Sequence, residues 1–330
     1  MKISILGGGG FLGRKIANRL VQQGTYAGLK IASLTLFDIA EPPVPAAPFP
    51  VVALAGDIVD LPETAIPPGT DVVFHLAAVV SAQAEADYEL GRRVNLRGTD
   101  AVVDACRRLV AAGAKPPRVV FTSSVASFSA TQADTLADDA KQVPGNSYGA
   151  QKAAAELILA DASRRGFMDV VSVRLPTVTV RPGRPNKAAS SFFSGIIREP
   201  LLGLEAELPV PDDFAVWVCS PRRAVDWLLH AGAMDTASMG LDRSLSPPGI
   251  TITVGDMLRA MDEVRPGTSA LVRRIADPMI AAIVGTWPPA FSADRARALG
   301  FVPHEPFVEV VRAFIEDDLA ATRHERGLSE

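Results

Sequence analysis

The sequence of 330 residues predicts an α/β fold with a doubly wound parallel sheet and a smaller C-terminal domain. From Met1 to about Arg174, short β-branched runs alternate with longer helical stretches, a pattern typical of successive βαβ units. Hydrophobic residues make up 48% of the chain, which is enough to bury one large core or two modest ones. A glycine-rich turn follows the first run directly. We therefore expect a folded protein organised around one parallel sheet.

The elements of the first half follow from the spacing of apolar residues and turn residues. Strands are predicted over residues 2–6, 33–38, 51–56, 72–76, 118–123 and 170–175. Helices are predicted over residues 11–23, 92–112 and 147–164. The proline-rich run 41–50 is expected to be a surface loop between two strands.

The character of the sequence changes after Pro176. Residues 181–186 contain two prolines and a glycine and are expected to be irregular. Beyond them we expect an edge strand at 207–210, a helix at 221–230 and a terminal helix at 306–323. Residues 1–175 are therefore predicted to form one domain, with a returning segment around 212–235. Residues 176–330 are predicted to form mainly a second, smaller domain.

Composition excludes several classes of function. The net charge is −4 and the basic residues are scattered, which argues against a nucleic-acid partner. The apolar stretches are shorter than the roughly 20 residues that span a bilayer, so no membrane span is expected. Cys106 and Cys219 have no second Cys or His at ligand spacing, which suggests neither a zinc site nor a disulfide. We expect a soluble, cytoplasmic protein.

A dinucleotide site is predicted where the first strand meets the first helix. There Gly7 permits a tight turn, Gly10 lets the backbone approach a pyrophosphate, and Gly13 lets the helix pack on the strand. Asp38 ends the next strand, where its carboxylate can bind a ribose diol and repel a 2′-phosphate. This Rossmann-type arrangement favours NAD over NADP, although Arg14 could also reach a 2′-phosphate. The alternative is that the glycines form only a flexible turn.

A catalytic pair is predicted at the start of the helix over 147–164. Tyr148 and Lys152 are four residues apart and share one helix face, so a phenol and an ammonium can act together. A nearby ammonium is expected to lower the pKa of the tyrosine from about 10, which suits proton exchange with an alcohol. Upstream, the buried strand that ends in Ser123 and Ser124 supplies hydroxyl groups.

Taken together, these motifs resemble the extended branch of the short-chain dehydrogenase/reductase family, also called the NAD-dependent epimerase/dehydratase family. The matching motifs span roughly the first 180 residues. They are GxxGxxG at Gly7, Gly10 and Gly13, Asp57-Ile58, His75-Leu76-Ala77-Ala78, Asn95-Leu96-Arg97-Gly98-Thr99 and Arg174-Leu175-Pro176.

The resemblance implies a role for each matched residue. Ser124 would bind the reacting oxygen, Tyr148 would be the general acid/base, and Lys152 would hold the nicotinamide ribose. The residues implied to bind NAD are Gly7, Gly10, Phe11, Leu12, Gly13, Asp38, Asp57, Ile58, Ala77, Asn95, Tyr148, Lys152, Pro176 and Thr177. Asn95 is equally well read as a helix cap or a strand-kinking side chain, and His75 is expected to pack inside the sheet. No metal is required for hydride transfer of this kind.

The second half of the chain points to the substrate. Val125 and Ala126 stand where dehydratases of the family usually carry an Asp-Glu pair, which argues against dehydration. The stretches 174–192 and 217–223 resemble the D-erythronate dehydrogenase subgroup, which implies oxidation of a four-carbon sugar acid at C2 to a 2-oxo acid. A guanidinium suits the carboxylate of such a substrate. The candidate substrate-binding residues are Ser81, Ser124, Arg181, Asn186 and Ser190.

Alternatives remain at this stage. Arg181, Arg222 and Arg223 are about as well explained, each taken singly, as solvated residues or structural ion pairs. A nucleotide-sugar epimerase that retains NAD tightly is the rival enzyme, and a non-catalytic dinucleotide-binding regulator is the rival of another class. The resemblance also suggests a homodimer that forms through the helices over 92–112 and 147–164. The alternative is that the second domain covers the apolar surface of these helices.

Overall fold

The computed structural model describes residues 1–129, 135–185 and 188–328. The strands are β1 Lys2–Leu6, β2 Thr25–Tyr26, β3 Leu29–Lys30, β4 Ser33–Asp38, β5 Val51–Ala55, β6 Val72–His75, β7 Arg118–Ser124, β8 Asp169–Leu175, β9 Thr177–Val178, β10 Ala206–Leu208, β11 Ala215–Cys219, β12 Ser244–Leu245, β13 Ile250–Thr253 and β14 Val272–Arg274. The α-helices are α1 Phe11–Gln23, α2 Ser81–Ala86, α3 Tyr88–Arg92, α4 Gly98–Ala111, α5 Ser147–Arg164, α6 Ser191–Leu201, α7 Pro221–Ala233, α8 Val254–Val264, α9 Pro278–Val284, α10 Asp294–Ala298, α11 Phe307–Phe314 and α12 Ala320–Glu325.

Within the described ranges, the main sheet has seven strands in the order β12-β8-β7-β6-β1-β4-β5. All of its pairings are parallel. The chain winds outward from β1 in one direction through β4 and β5, and then in the other direction from β6. The predicted doubly wound, Rossmann-type α/β fold is confirmed. Such a sheet has a crevice at the carboxyl ends of its strands where the winding reverses, here between β1 and β6.

Helices cover both faces of this sheet because successive strand residues point to opposite sides. On one face, Ile3 and Ile5 of β1 pack in a core with Leu20 of α1 and with residues of α7. On the other face, Phe121 of β7 packs in a separate core with Leu159 of α5 and with residues of α4. The catalytic helix predicted at Ser147 is therefore held by apolar packing along one side.

A second lobe follows β8. Its core joins α6, α8 and α11 around buried residues that include Phe193, Met257 and Val311. A small sheet in the order β13-β11-β9 and a β10-β14 pair complete the lobe. Of the segment expected to return to the main sheet, around 212–235, α7 packs on that sheet, whereas β11 pairs with β9 and β13.

Two predicted helices contain π-helical turns. The helix expected over 92–112 begins as a π turn at Arg93–Arg97, directly after α3, and continues as α4. The terminal helix is divided by a π turn at Ile315–Leu319. A π turn inserts one extra residue and changes which side chains face inward, and such turns are frequent at functional sites.

Ion pairs connect the two lobes. Lys15 of α1 contacts Asp318 of the second π turn, with 2.7 Å between Nζ and Oδ1. Arg222 of α7 pairs with Glu316 and Asp317 of the same turn. The N-terminal helix of the sheet is thus tied directly to the last helical segment of the chain. None of the helices in the described ranges has the length and apolar character needed to cross a membrane.

Candidate active site

Two adjoining hollows lie at the carboxyl ends of the central strands, at the point where the sheet reverses its winding. They share Gly7, Gly10, Leu76 and Ala78 in their walls. The larger one, about 520 Å³, extends over the ends of β4 and β5. The smaller one, about 270 Å³, extends over the ends of β7 and β8. We call them the dinucleotide hollow and the catalytic hollow.

The N-terminus of α1 opens into both hollows. The first helical hydrogen bond runs from Arg14 N to Gly10 O, so the N–H groups of Phe11, Leu12 and Gly13 lie at the open end of the helix. No side chain caps this end. Gly7 has a φ of +93°, and a Cβ on Gly13 would lie 2.2 Å from Gly7 O, so the close turn requires glycine at both positions. An uncapped helix N-terminus of this kind suits a pyrophosphate.

Asp38 lies at the end of β4 in the dinucleotide hollow. Its Oδ2 accepts from Gly9 N at 2.9 Å, and its Oδ1 accepts from Ile39 N at 2.7 Å. Each oxygen has two lone pairs, so one acceptor position on each remains for a ribose diol. Arg14, the rival contact for a 2′-phosphate, is exposed on α1.

Asp57, Ile58 and Ala77 also line the dinucleotide hollow, as the family resemblance implied. Asp57 accepts from Val59 N and from Arg93 Nη1, the latter at 2.6 Å. Arg93 lies in the same wall and was not predicted. The uncapped helix end, the carboxylate on β4 and the volume of this hollow fit a bound NAD.

Asn95 is not brought to the wall of either hollow. Asn95 is buried in the first π turn. Its Oδ1 accepts a hydrogen bond from Val79 N at 2.8 Å, and its Nδ2 donates to Val79 O at 3.1 Å and to Gln151 Oε1 at 2.7 Å. Gln151 precedes Lys152 on α5. Asn95 therefore connects the loop after β6 to the catalytic helix, which agrees with the structural interpretation that the sequence supports equally with a cofactor contact.

Tyr148 and Lys152 lie on one face of α5 in the wall of the catalytic hollow, together with Ser124. The helix begins at Asn146, whose Oδ1 accepts from Gly149 N at 2.8 Å and caps the first turn. The Nζ atom of Lys152 donates to Thr122 O at 2.7 Å and lies 5.6 Å from the centre of the Tyr148 ring. The strand end and the helix start thus bring the three predicted catalytic side chains together.

The electrostatics of this trio differ in one respect from our expectation. Burial raises the pKa of Tyr148 to about 12, while the Arg181 charge and a hydrogen bond from Ser124 act in the opposite direction. Burial lowers the pKa of Lys152 to about 7, opposed by the Glu156 carboxylate. The cation that favours the phenolate of Tyr148 is therefore Arg181, a residue of the second half of the chain.

A buried ionic network supports Lys152 from behind. Glu156 lies one helical turn further along α5 and accepts hydrogen bonds from Ser123, Gln142 and Arg174. The Arg174 Nη2 to Glu156 Oε2 distance is 2.9 Å, and both side chains are less than a tenth exposed. The network joins α5 to β7 and β8, the strands that end at the catalytic hollow.

His75 is buried in the main sheet, as expected. Its Nε2 lies 3.1 Å from Thr99 Oγ1. Burial and the Lys152 charge lower the pKa of His75 to about 3, so its ring is neutral at physiological pH.

The predicted substrate-binding residues Arg181, Ser190 and Ser81 all line the catalytic hollow, as do Pro176 and Thr177. The partly buried Arg181 donates from Nε to Val178 O and from Nη2 to Ser190 Oγ, each at 2.9 Å. In the part of the chain that the structure describes, no carboxylate pairs with it. Asn186, the remaining candidate, lies outside the described residues.

The other two arginines considered with Arg181 have acidic partners away from the hollow. Arg222 pairs with Glu316 and Asp317, and Arg223 pairs with Glu305. Arg222 and Arg223 are therefore better explained as members of structural ion pairs than as substrate-binding residues. Sequence reasoning missed Trp287, which comes from the second lobe and lines the catalytic hollow.

Comparison with known proteins agrees with this geometry. Residues 3–218 match the model of the NAD dependent epimerase/dehydratase family. The chain belongs to this family. It is 44% identical to the D-erythronate dehydrogenase of Cupriavidus necator, covering 96% of this chain and 98% of that one. It is 37% identical to the D-erythronate dehydrogenase of Haemophilus influenzae, covering 97% of this chain and 100% of that one.

A solved structure of a family member is also similar. It is described as the nucleoside-diphosphate-sugar epimerase from Agrobacterium tumefaciens, is 44% identical and superposes with a TM-score of 0.92, covering 97% of this chain and 95% of that one. Family membership, with dehydrogenase relatives that span nearly the whole chain, makes this protein an NAD-dependent oxidoreductase.

Proposed function

We propose that this enzyme oxidises D-erythronate at C2 to 2-oxo-tetronate, with Tyr148 as the general base. The proposal rests on one observation about Arg181. Its partly buried guanidinium lies in the wall of the catalytic hollow and has no carboxylate partner among the described residues. The two D-erythronate dehydrogenases to which the chain is similar support the choice of acid.

The carboxylate of a sugar acid would give Arg181 the anionic partner that it lacks among the described residues. A guanidinium away from bulk water costs free energy unless an anion or well-placed acceptors compensate it. Two of its donors are used by Val178 O and Ser190 Oγ, which fixes its orientation. A guanidinium carries five donors, so others remain for a carboxylate. Ser81 and Ser190 add hydroxyl groups for the substrate in the same wall.

The protein residues divide the remaining work. Ser124 would hold the C2 hydroxyl oxygen against the phenol, and Tyr148 would take its proton as the C2 hydride leaves. Bound NAD⁺ supplies the hydride acceptor and a positive charge near the phenol. Lys152, whose Nζ donates to Thr122 O, would bind the ribose hydroxyls. Burial raises the pKa of Tyr148, so the neighbouring charge of Arg181 is needed to favour the phenolate.

A second candidate is nucleotide-sugar epimerisation, because a structure 44% identical to this chain is described as a nucleoside-diphosphate-sugar epimerase. An epimerase returns the hydride to its substrate and accumulates no NADH. A dehydrogenase must release NADH at every turnover. Net formation of NADH therefore separates the two functions.

The test is to follow NADH absorbance with D-erythronate, other four-carbon sugar acids, nucleotide sugars and simple alcohols. We expect turnover of D-erythronate by the wild type and its loss in Tyr148→Phe, which removes only the hydroxyl. Interconversion of a nucleotide sugar without net NADH would overturn the proposal and assign the enzyme to the epimerases. Oxidation of D-erythronate by Tyr148→Phe at the wild-type rate would reject Tyr148 as the base.

We also propose a cytoplasmic homodimer. Leu157 on α5 is 70% exposed and Tyr88 on α3 is 54% exposed, so each of these helices presents a large apolar side chain on its outer surface. Cys106 and Cys219 are free, buried thiols, which suits a reducing compartment. Light scattering after size exclusion should give twice the chain mass for the wild type and a smaller value for Leu157→Glu. A monomeric wild type would reject the dimer.

A further inference from the structure

Trp287 lines the catalytic hollow from a part of the chain far from the other lining residues. Of the described residues that line this hollow, it is the only one that follows Ser190 in the chain. The other lining residues come from the main sheet, its loops and the segment that ends at Ser190. Beyond the segment 177–190, with which the second lobe begins, Trp287 is therefore the only described residue of that lobe in the wall of the hollow.

Trp287 borders two spaces. Behind the catalytic hollow lies a small cavity of about 10 Å³, and Val125, Thr177 and Trp287 line both spaces. The remaining walls of the small cavity are Phe214, Ala215, Val216, Trp217, Val284 and Pro288. Every one of these side chains is apolar apart from the indole nitrogen of Trp217. Removal of the Trp287 ring would enlarge the catalytic hollow toward these apolar side chains.

The position of Trp287 is fixed relative to the catalytic helix. Its backbone N donates to Val284 O at 3.1 Å. The preceding residue, Thr286, accepts a hydrogen bond from Asn146 Nδ2 at 3.3 Å, and Asn146 caps the helix that carries Tyr148. Trp287 is therefore connected to the base through one side-chain contact. The Trp287 Nε1 atom is buried and has no hydrogen-bond partner among the described residues.

We propose that Trp287 determines the chain length of the acid that the enzyme accepts. The inference rests on the proposed function, because it assumes that the acid lies between Arg181 and Tyr148. With the carboxylate held by Arg181 and C2 held at Tyr148, the rest of the carbon chain must end within the same hollow. Trp287 closes that hollow on the side of the second lobe.

The test compares Trp287→Ala with Trp287→Phe, which keeps an aromatic wall. The substrates are D-erythronate, D-ribonate, D-allonate and 6-deoxy-D-allonate, which share the configuration at C2 and C3 and differ in length and in the polarity of the far end. In the wild type and in Trp287→Phe we expect kcat/KM to fall steeply beyond four carbons. In Trp287→Ala we expect the ratio of six-carbon to four-carbon kcat/KM to rise by about tenfold or more, within the range for discrimination of single methylene groups.

The apolar side chains around the small cavity predict which six-carbon acid benefits more from Trp287→Ala. The kcat/KM of the 6-deoxy acid, which ends in a methyl group, should rise more than that of D-allonate, which ends in a hydroxyl. An unchanged chain-length ratio in Trp287→Ala, or an equal rise in Trp287→Phe, would overturn the inference. Thermal unfolding of each variant shows whether it still folds. If Trp287→Ala does not fold, Trp287→Val takes its place in the comparison.

Failure of this inference differs from failure of the proposed function. If the wild type oxidises none of the four acids, the proposed function is wrong. If the wild type oxidises D-erythronate and the truncated variants keep its length preference, only the role of Trp287 is wrong.

Discussion

The Nη2 atom of Arg181 donates to Oγ of Ser190 across 2.9 Å, and this contact orients a guanidinium toward the phenol of Tyr148. Burial lowers the pKa of Arg181 to about 10, and the interaction with Tyr148 opposes that shift. The arginine therefore stays charged at neutral pH. One residue can thus serve both the substrate carboxylate and the base.

Arg181→Leu should lower kcat/KM for D-erythronate by roughly 10- to 100-fold, because hydrogen bonds to a charged group contribute about 1.5–3 kcal/mol. KM should rise as the carboxylate contact is lost, and kcat should fall as the phenolate of Tyr148 loses its neighbouring cation. Steady-state kinetics with NAD in excess measures the effect. Arg184→Leu, which removes an exposed arginine from the same loop, is the matched control and should change neither constant appreciably. Equal losses in the two variants would count against a specific carboxylate contact.

Ser124→Ala should move the pH profile of oxidation toward alkaline pH. The Ser124 hydrogen bond lowers the pKa of Tyr148, which burial raises to about 12, so its loss raises that pKa further and leaves less phenolate at any given pH. The measurement is kcat/KM for D-erythronate against pH. Ser81→Ala removes a hydroxyl from the same hollow that accepts from Ala189 N, and it should leave the profile in place. If kcat/KM of Ser124→Ala falls at every pH without a shift of the profile, Ser124 does not lower the pKa of Tyr148.

Asp38→Ala should weaken NAD binding by about tenfold and narrow the preference for NAD over NADP. The carboxylate would bind the ribose diol and repel a 2′-phosphate, and it also holds the glycine turn through Gly9 N. Calorimetric titration with NAD and with NADP measures both effects. Asp60→Ala, at a side chain that is 81% exposed, is the control. A loss of affinity for NADP as large as that for NAD would indicate damage to the turn alone.

Arg174→Met should destabilise the protein by about 3–5 kcal/mol, because it leaves Glu156 buried with a charge and without its main partner. Urea denaturation gives the free energy of unfolding. Arg164→Met breaks the exposed pair with Asp161 on the same helix and should cost less than about 1 kcal/mol. The double variant Glu156→Gln, Arg174→Met should regain part of the loss. Similar losses in Arg174→Met and Arg164→Met would contradict the assignment of a buried ion pair.

Local patterns in the sequence were sufficient for the elements that build the cofactor end of the fold. The strands β1 and β4 and the helices α1 and α5 have the predicted bounds, because glycine turns and apolar periodicity act within a few residues. The order of these elements also placed Ser124, Tyr148 and Lys152 in one wall.

Features that depend on distant parts of the chain were not predictable in this way. The seventh strand, β12, is two residues long and lies close to Pro247, so it has no periodicity of its own and forms only by pairing with β8. The π turn that directs Asn95 away from the hollows depends on one extra residue in a helix. Trp287 lies in no motif, and only the docking of the second lobe brings it to the base.

The contact between Lys15 and Asp318 joins residues 303 positions apart, and Lys15 belongs to the helix whose N-terminus faces the dinucleotide hollow. A rotation that separates α1 and α7 from the turn Ile315–Leu319 would stretch this pair and the neighbouring Arg222 pairs, and screening by salt weakens partly exposed pairs. Ionic strength should therefore influence how fast the coenzyme is exchanged. We expect stopped-flow release of NADH to become faster with added salt in the wild type and to depend less on salt in Lys15→Met, in which the Arg222 pairs remain; equal salt responses would disprove the coupling.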